Sequence, residues 1–477
     1  MAPDLPRSPR WIARGVLAVC LLLLLVGAAA ATITYEPPEI ATGNVTQPAN
    51  GSTLVAIQGF HWQGEGNPKK PARLLSFNET GGLAWKYDGS RRGATWFYDA
   101  DPLPNGNVLA VNTIREDGVG KTLVYELDPR SKERVWTEKF NITDTHDVDL
   151  INGDQLLVAN MREWDKENGT SNDRLFLYDL GEEEIVWEWY FKNHYPASTD
   201  GGMKPDWSHV NDVDKIGEGK YMASPRNFDQ VIVVDRETKN ITLRLGEDDN
   251  HDIINEQHNP TYLETADGRP VILVADSENN RVVEYTCTER VDGDCEWELT
   301  WEVGNGQLNW PRDANRLPNG NTLITDSRNH RVLEVTPTGR IVWETFAPWG
   351  PFSAERVVRG NDGVRSPAMA DMGYQGTYRL KGTAGLTPST GDSLTFPEWL
   401  RANVAGLPVV GGPARSLADA WQAGAQWIRP VWMAPWSFVY LVVAAVLGLV
   451  WGVSEAVYQR RRIAERARTV TARMGAQ

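Results

Sequence analysis

The chain has 477 residues, of which 48 are Lys or Arg and 63 are Asp or Glu, for a formal net charge of −15. That balance excludes nucleic acid as a partner, because such binding needs a basic surface that displaces counterions. Acidic loops such as Glu182 to Glu184 and Asp248 with Asp249 suit a surface kept hydrated in high salt, which points to a halophilic archaeal source.

Residues 15–35 are an apolar run preceded by Arg7, Arg10 and Arg14, so residues 1–35 read as a membrane anchor. A signal peptide is the alternative, since Gly27 to Ala31 resembles a cleavage site. From about Gly51 the pattern changes to repeats. TWFYDADPLPNGNVLAVNT, THDVDLINGDQLLVANM, SHVNDVDKIGEGKYMASPR, QHNPTYLETADGRPVILVADS and WPRDANRLPNGNTLITDSRNH share one layout, and closing strands such as ERVWTEKF, EIVWEWYF and RIVWETF often carry Trp. Four short alternating strands per repeat, with Asn-Gly turns at Asn105, Asn152 and Asn319, mark propeller blades.

GSTLVAIQGFHW, ARLLSFNETG and GLAWKYDG supply three strands of a first blade and no opening strand. PFSAERV (351–357) repeats PRDANRL (311–317) with Pro, Ala and Arg in register, so it is the missing strand, donated from the far end to close the sheet edge. The expected fold is therefore all-β: a six-bladed propeller over residues 51–359, flanked by N- and C-terminal transmembrane helices.

Cys287 and Cys295 bracket a hairpin tip and are placed to close a local disulfide; two unpaired thiols are the alternative. Asn44, Asn50, Asn78, Asn141, Asn168 and Asn240 each begin an Asn-x-Ser/Thr sequon and are candidate glycosylation sites. Residues 360–430 read as a Gly/Pro/Ala-rich linker, and Trp421, Trp427, Trp432 and Trp436, spaced around its end, are placed for a membrane interface. Residues 431–458 form a second transmembrane helix, and 459–477 a basic cytoplasmic tail opening on Arg460, Arg461 and Arg462. Positive charge at both flanks puts the propeller on the extracytoplasmic face of the cell membrane.

His146, His209 and His258, three of seven histidines, stand where the innermost strand of a blade begins, so they converge on the central channel. Tyr98 and Arg312 fill the same slot in other blades and are candidate substrate-binding residues. Arg226 ends the second strand of His209's blade, and its planar fork suits a tetrahedral oxyanion; pairing with Asp229 is the alternative. Convergent imidazoles also serve as zinc ligands, although Arg226 is an unfavourable neighbour for a dication. A noncatalytic binding propeller is a further reading, since SRNHRVLEV and SENNRVVEY resemble NHL repeats. Gly120-Lys121-Thr122 imitates a phosphate loop, but Arg115 stands where the leading Gly belongs and a strand follows.

The segment DWSHVNDVDKIGEGKYMASPRNFDQVIVVDRETKNITLRLG resembles the core motif of the arylsulfate sulfotransferases, through Asp206, Trp207, His209, Asn211, Arg226, Leu245 and Gly246. EQHNPTYL resembles the family's Gln-His segment and THDVDLINGD its His-Asp segment. Pro225 replaces the second Ser of the family's Ser-Ser-Arg strand, and membrane segments stand where periplasmic members carry an N-terminal β-domain. The resemblance implies sulfuryl transfer from an aryl sulfate donor to a hydroxyl acceptor, with no cofactor, no metal and no nucleotide donor. It assigns the nucleophile to His258, the acid/base role to His146 or His209, and the sulfuryl grip to Arg226 with Asn211.

Overall fold

The computed structural model describes residues 9–33, 35, 39–60, 67–291, 293–357, 366–382 and 395–474. Arg7, the first-blade residues His61 and Trp62, the last propeller residues 358–359 and the linker stretches 360–365 and 383–394 lie outside the described residues. The chain divides into two units, residues 39–387 and the two termini together.

The first unit is the six-bladed propeller. Blade 1 pairs Ser52–Ile57, Arg73–Phe77 and Leu83–Asp88 with Pro351–Val357 as its innermost strand, in the order expected for a donated closure. Blades 2 to 6 open on Ala94–Pro102, Val148–Ile151, Val210–Gly217, His258–Glu264 and Pro311–Arg316, each followed by three antiparallel strands. Register across the closure runs Ser52↔Val357, Leu54↔Glu355 and Val55↔Ala354, so the two chain ends are locked by a full ladder.

The recurrent Trp of the closing strands explains how blades adhere. Trp189, Trp301 and Trp343 are fully buried, and their indole N–H groups donate to Lys239, Pro337 and Glu79 carbonyls of the neighbouring blade, at 2.9, 2.9 and 3.1 Å. Each ring thus removes a large apolar area from water while its one polar atom is satisfied. The two NHL-like runs have a structural use as well. In each, an Arg bridges two acids: Arg281 to Asp276 and Glu302 at 2.6 and 2.8 Å, Arg331 to Asp326 and Glu344 at 2.7 and 3.1 Å. The same aspartates accept the Asn255 and Asn309 amides, both at 2.7 Å, three residues ahead of His258 and Arg312.

The expected propeller bounds are too narrow. Ala41–Val45 adds an outer strand to blade 6, and Gly376–Tyr378 adds a parallel strand to the outer edge of blade 5. Ala368 and Met369 are fully buried in the blade 5 and blade 6 core, and the Met369 amide donates to Glu284 at 2.8 Å. The stretch read as a linker therefore begins as part of the propeller. It also contains two helices, Phe396–Asn403 and Gly411–Ile428. Cys287 and Cys295 are bonded, with Cα atoms 5.3 Å apart.

The second unit holds helices Pro9–Ile33 and Pro435–Met474, whose spans Trp11–Ile33 and Pro435–Arg460 are long and apolar enough to cross a bilayer. They meet each other through Arg14, which forks onto Glu455 at 2.8 and 2.6 Å, and through Ser437, which donates to the Ala28 carbonyl at 2.8 Å.

Candidate active site

Each innermost strand delivers its side chains to the channel in tiers. Second-strand partners fix the equivalences, for Val148↔Val158, Val213↔Ala223, Ala314↔Ile324 and Ala354↔Val55 hold the same place in their blades. Counting back two residues gives a ring of Tyr98, His146, Asn211, His258, Arg312 and Phe352. His209 therefore does not share the slot of His146 and His258. It lies two residues earlier, and Asn211 occupies the slot.

The tier above explains why His209 still reaches the site. Asp144, His209, Glu256, Trp310 and Gly350 hold equivalent places and all have positive φ, from 41° to 72°. Four of the five are not glycine, and such backbone costs about 1–3 kcal/mol each. Irregular pairing follows at once in blades 4, 5 and 6. The strained mouth and the bulges re-aim consecutive side chains into one space.

The rings lie close together. His146 is 3.9 Å from Tyr98, 5.1 Å from His209 and 5.2 Å from Phe352, centroid to centroid. Phe352 is also 5.8 Å from His258, and the Arg312 guanidinium lies 5.2 Å from its ring. The donated strand thus supplies the aromatic hub. Its register with Pro311–Arg316 was visible in the sequence and would have identified Phe352.

Hydrogen bonds set the tautomers. His258 is 1% exposed, and its Nδ1 faces the Glu256 carbonyl and the Ser277 hydroxyl, both at 3.0 Å. Ser277 donates its own proton to the Pro311 carbonyl at 2.6 Å, so both neighbours accept from Nδ1–H and the lone pair belongs to Nε2. That Nε2 is buried without a hydrogen-bond partner among the described residues. His209 presents Nδ1 to Asp206 at 2.8 Å and likewise leaves Nε2 unpartnered. His146 turns Nε2 toward Asp144 at 3.6 Å and leaves Nδ1 unpartnered.

Behind the imidazoles stands an acidic pair, of which Asp206 belongs to the motif seen in the sequence while Asp144 was missed. Arg162 reaches Asp144 at 2.8 Å and Asp206 at 3.2 Å, and Tyr98 donates to Asp144. Burial works against both carboxylates, but the histidine hydrogen bonds and Arg162 hold them well below the usual range. Burial lowers all three histidines: His209 falls to about 3 with Arg226 adding to the effect, and His258 falls well below its ordinary value with Arg312 adding. Burial raises Tyr98 well above its ordinary range. All three imidazoles are neutral near pH 7.

Cationic groups complete the mouth. Arg312 is 3% exposed and lies 3.3 Å above the Trp310 ring, with Nε and Nη1 unpartnered. Arg328 covers the same indole at 3.8 Å. Burial, then Arg226 and Arg328, push Arg312 well below its ordinary range. Arg226 is half-buried, and its Nε and Nη2 both donate to Asn227, at 3.0 and 2.8 Å. Its acidic neighbour is Glu256 at 3.5 Å. Asp229, the partner considered from sequence, instead accepts the Glu256 amide at 2.8 Å and faces His251 at 3.2 Å. Asn211 donates to the Gln257 carbonyl at 2.8 Å, steadying the segment that carries His258.

The arrangement offers one buried imidazole lone pair on a fixed tautomer, two further imidazoles backed by carboxylates, and a dry guanidinium with two free donors. Such a set suits attack on an anionic ester whose negative charge the arginines receive. A metal fits less well: among the described residues the one group that brings three ligand atoms within 4.8 Å of one another is Asp229, Asp249 and His251.

A sequence model described as arylsulfotransferase (ASST) matches residues 47–304, which include Tyr98, His146, His209, Arg226 and His258 but stop short of Arg312 and Phe352. No curated protein matches the chain. Among solved structures, a protein of unknown function from Bacteroides caccae is 12% identical with TM-score 0.39, covering 69% of this chain and 98% of its own. A putative 6-phosphogluconolactonase from Bacteroides fragilis is 14% identical with TM-score 0.40, covering 65% and 98%. A streptogramin B lyase is 11% identical with TM-score 0.36, covering 66% and 88%. Likeness at this level carries no argument about the chemistry.

Proposed function

The chain belongs to the arylsulfotransferase family, and we propose that it moves a sulfuryl group from an aryl sulfate to a phenolic or other hydroxyl acceptor through a covalent sulfohistidine, with no nucleotide donor. The observation that carries this reading is the buried, unpartnered Nε2 of His258 on a tautomer fixed by Glu256 and Ser277.

In the first half, the His258 Nε2–S bond forms as the S–O(aryl) bond breaks, and the positive charge on the imidazole spreads toward the Glu256 carbonyl. His209 Nε2 gives the leaving phenoxide a proton, which the imidazole takes from solvent when the anionic ester binds beside it. Asp206 steadies that imidazolium. In the second half the acceptor hydroxyl returns a proton to His209 as its oxygen attacks sulfur, and His258 is restored. His209 is assigned this role because its carboxylate is at 2.8 Å, whereas His146 and Asp144 are 3.6 Å apart. Sulfuryl transfer resembles phosphoryl transfer in having a loose transition state, so the remaining task is charge stabilisation, which falls to Arg312 and Arg226 with Tyr98 and Phe352 shaping the aryl side.

The two apolar helices anchor the enzyme in the membrane with the propeller on the extracytoplasmic face. There Asn50, Asn78, Asn141, Asn168 and Asn240 are exposed and open to glycosylation, whereas the Asn44 amide donates to the Gly382 carbonyl. The test is incubation of the full chain in detergent with a chromogenic aryl sulfate and a panel of phenols, in high and low salt. Phenol-dependent release of the chromophore with formation of the new aryl sulfate is the expected result. No release with any acceptor, or release by water alone, overturns the transferase reading.

A further inference from the structure

Below the histidine ring the channel changes sign. The innermost strands of blades 2, 3 and 4 carry Asp-x-Asp pairs (Asp99/Asp101, Asp147/Asp149, Asp212/Asp214), and the two-residue spacing turns both members of each pair to the same space. Asp313 and Glu355 join them from blades 6 and 1. These carboxylates line a cavity of about 280 Å³ in which, among the described residues, Lys215 is the sole basic lining residue. Lys215 is already engaged with Asn152 at 2.7 Å and Glu218 at 3.3 Å.

Two of the aspartates have a plain structural use. Asp147 accepts the Val213 amide at 2.7 Å and Asp313 accepts the Ala354 amide at 2.8 Å, each fastening its blade to the next. Asp212 holds the equivalent place in blade 4, but the residue it would fasten to in blade 5 is Pro260, which has no N–H. Its Oδ2 is left without a hydrogen-bond partner among the described residues, although Asp212 is only 6% exposed.

We propose that this half of the channel binds a hard divalent cation, Mg²⁺ or Ca²⁺, with Asp212 Oδ2 as its direct ligand and most of the remaining positions filled by water. A largely hydrated ion follows from the spacing, because the carboxylates are not among the groups whose ligand atoms come within 4.8 Å of one another. Mg²⁺ in particular binds through one or two carboxylates and keeps its waters. The cavity has ample room, since one water needs roughly 10–15 Å³. The ion also offsets a negative field directly beneath the site proposed to receive an anionic ester.

The full chain in detergent, stripped with EDTA and dialysed, would be titrated with Mg²⁺ and with Ca²⁺ against an NaCl control of equal ionic strength, with binding read by equilibrium dialysis. Saturable binding near one ion per chain is expected, weakened at least tenfold in Asp212→Asn and in the independent variant Asp149→Asn, and kept in His251→Ala, which disables the group formed by buried Asp229 with exposed Asp249 and His251. Circular dichroism checks that each variant is folded. Absence of saturable binding, or binding that survives both aspartate substitutions or is lost in His251→Ala, overturns the proposal. Because the readout is ion binding, it stands or falls apart from sulfuryl transfer.

Discussion

Replacing Arg312 by methionine should separate activity from stability. Its guanidinium sits 3.3 Å over Trp310 with two unpartnered nitrogens, and Arg226 and Arg328 add repulsion. A buried charge without a partner costs roughly 3–5 kcal/mol. Methionine removes that cost, forfeits a desolvated cation–π contact of about 2 kcal/mol, and fills similar space. The net gain of about 1–3 kcal/mol corresponds to a melting temperature raised by roughly 2–6 °C. Losing a transition-state donor costs about 3–4 kcal/mol in the reaction, so kcat should fall by roughly two to three decades. The assay pairs thermal unfolding with turnover of a chromogenic aryl sulfate. A variant that melts lower while keeping kcat within tenfold of the parent would show that Arg312 is structural, and would refute the reasoning.

Arg226→Lys should lower kcat by about two to three decades, because an ammonium loses the fork, whereas Glu256→Gln should leave kcat within a few-fold; equal effects of the two would reduce Arg226 to a partner of Glu256. His209 is neutral in the free enzyme down to about pH 3, so the proton it donates arrives with substrate. Consequently kcat/KM for a donor with a basic leaving phenoxide should rise as pH falls from 8 to 5, while that for p-nitrophenyl sulfate stays level; identical pH profiles would contradict the acid role. The same lowered value means that His209 contributes stability fully above about pH 6.5 and loses it as pH falls toward 3. Reduction of the bond between Cys287 and Cys295, which closes a local hairpin, should cost on the order of 2–3 kcal/mol and leave transfer intact. Loss of activity on mild reduction would place chemistry at that pair.

The propeller was legible because its repeats encode it locally: strand alternation, Asn-Gly turns, and the match of residues 351–357 to 311–317 that marks the donated strand. His146, His258, Tyr98 and Arg312 followed from the same register. His209 was misplaced by two residues because its own slot belongs to Asn211, as the strand pairing of Val213 with Ala223 shows. Asp144 and Arg162 escaped notice since a salt bridge across sequence-distant loops leaves no periodic signal. Phe352 did leave one, in the slot of Arg312. The region read as a linker misled through its Gly and Pro content, although Leu417, Trp421 and Ile428 repeat at helical spacing within Gly411–Ile428.

Trapping the covalent intermediate tests the central claim most directly. The full chain is mixed with an aryl sulfate and no acceptor, quenched in base, digested, and its peptides are weighed. The account predicts a gain of one sulfuryl group on the peptide containing His258, stable in base, labile in acid and discharged by added phenol. A label on His146 or His209, or unlabelled protein that still transfers sulfuryl groups between phenols, would contradict it.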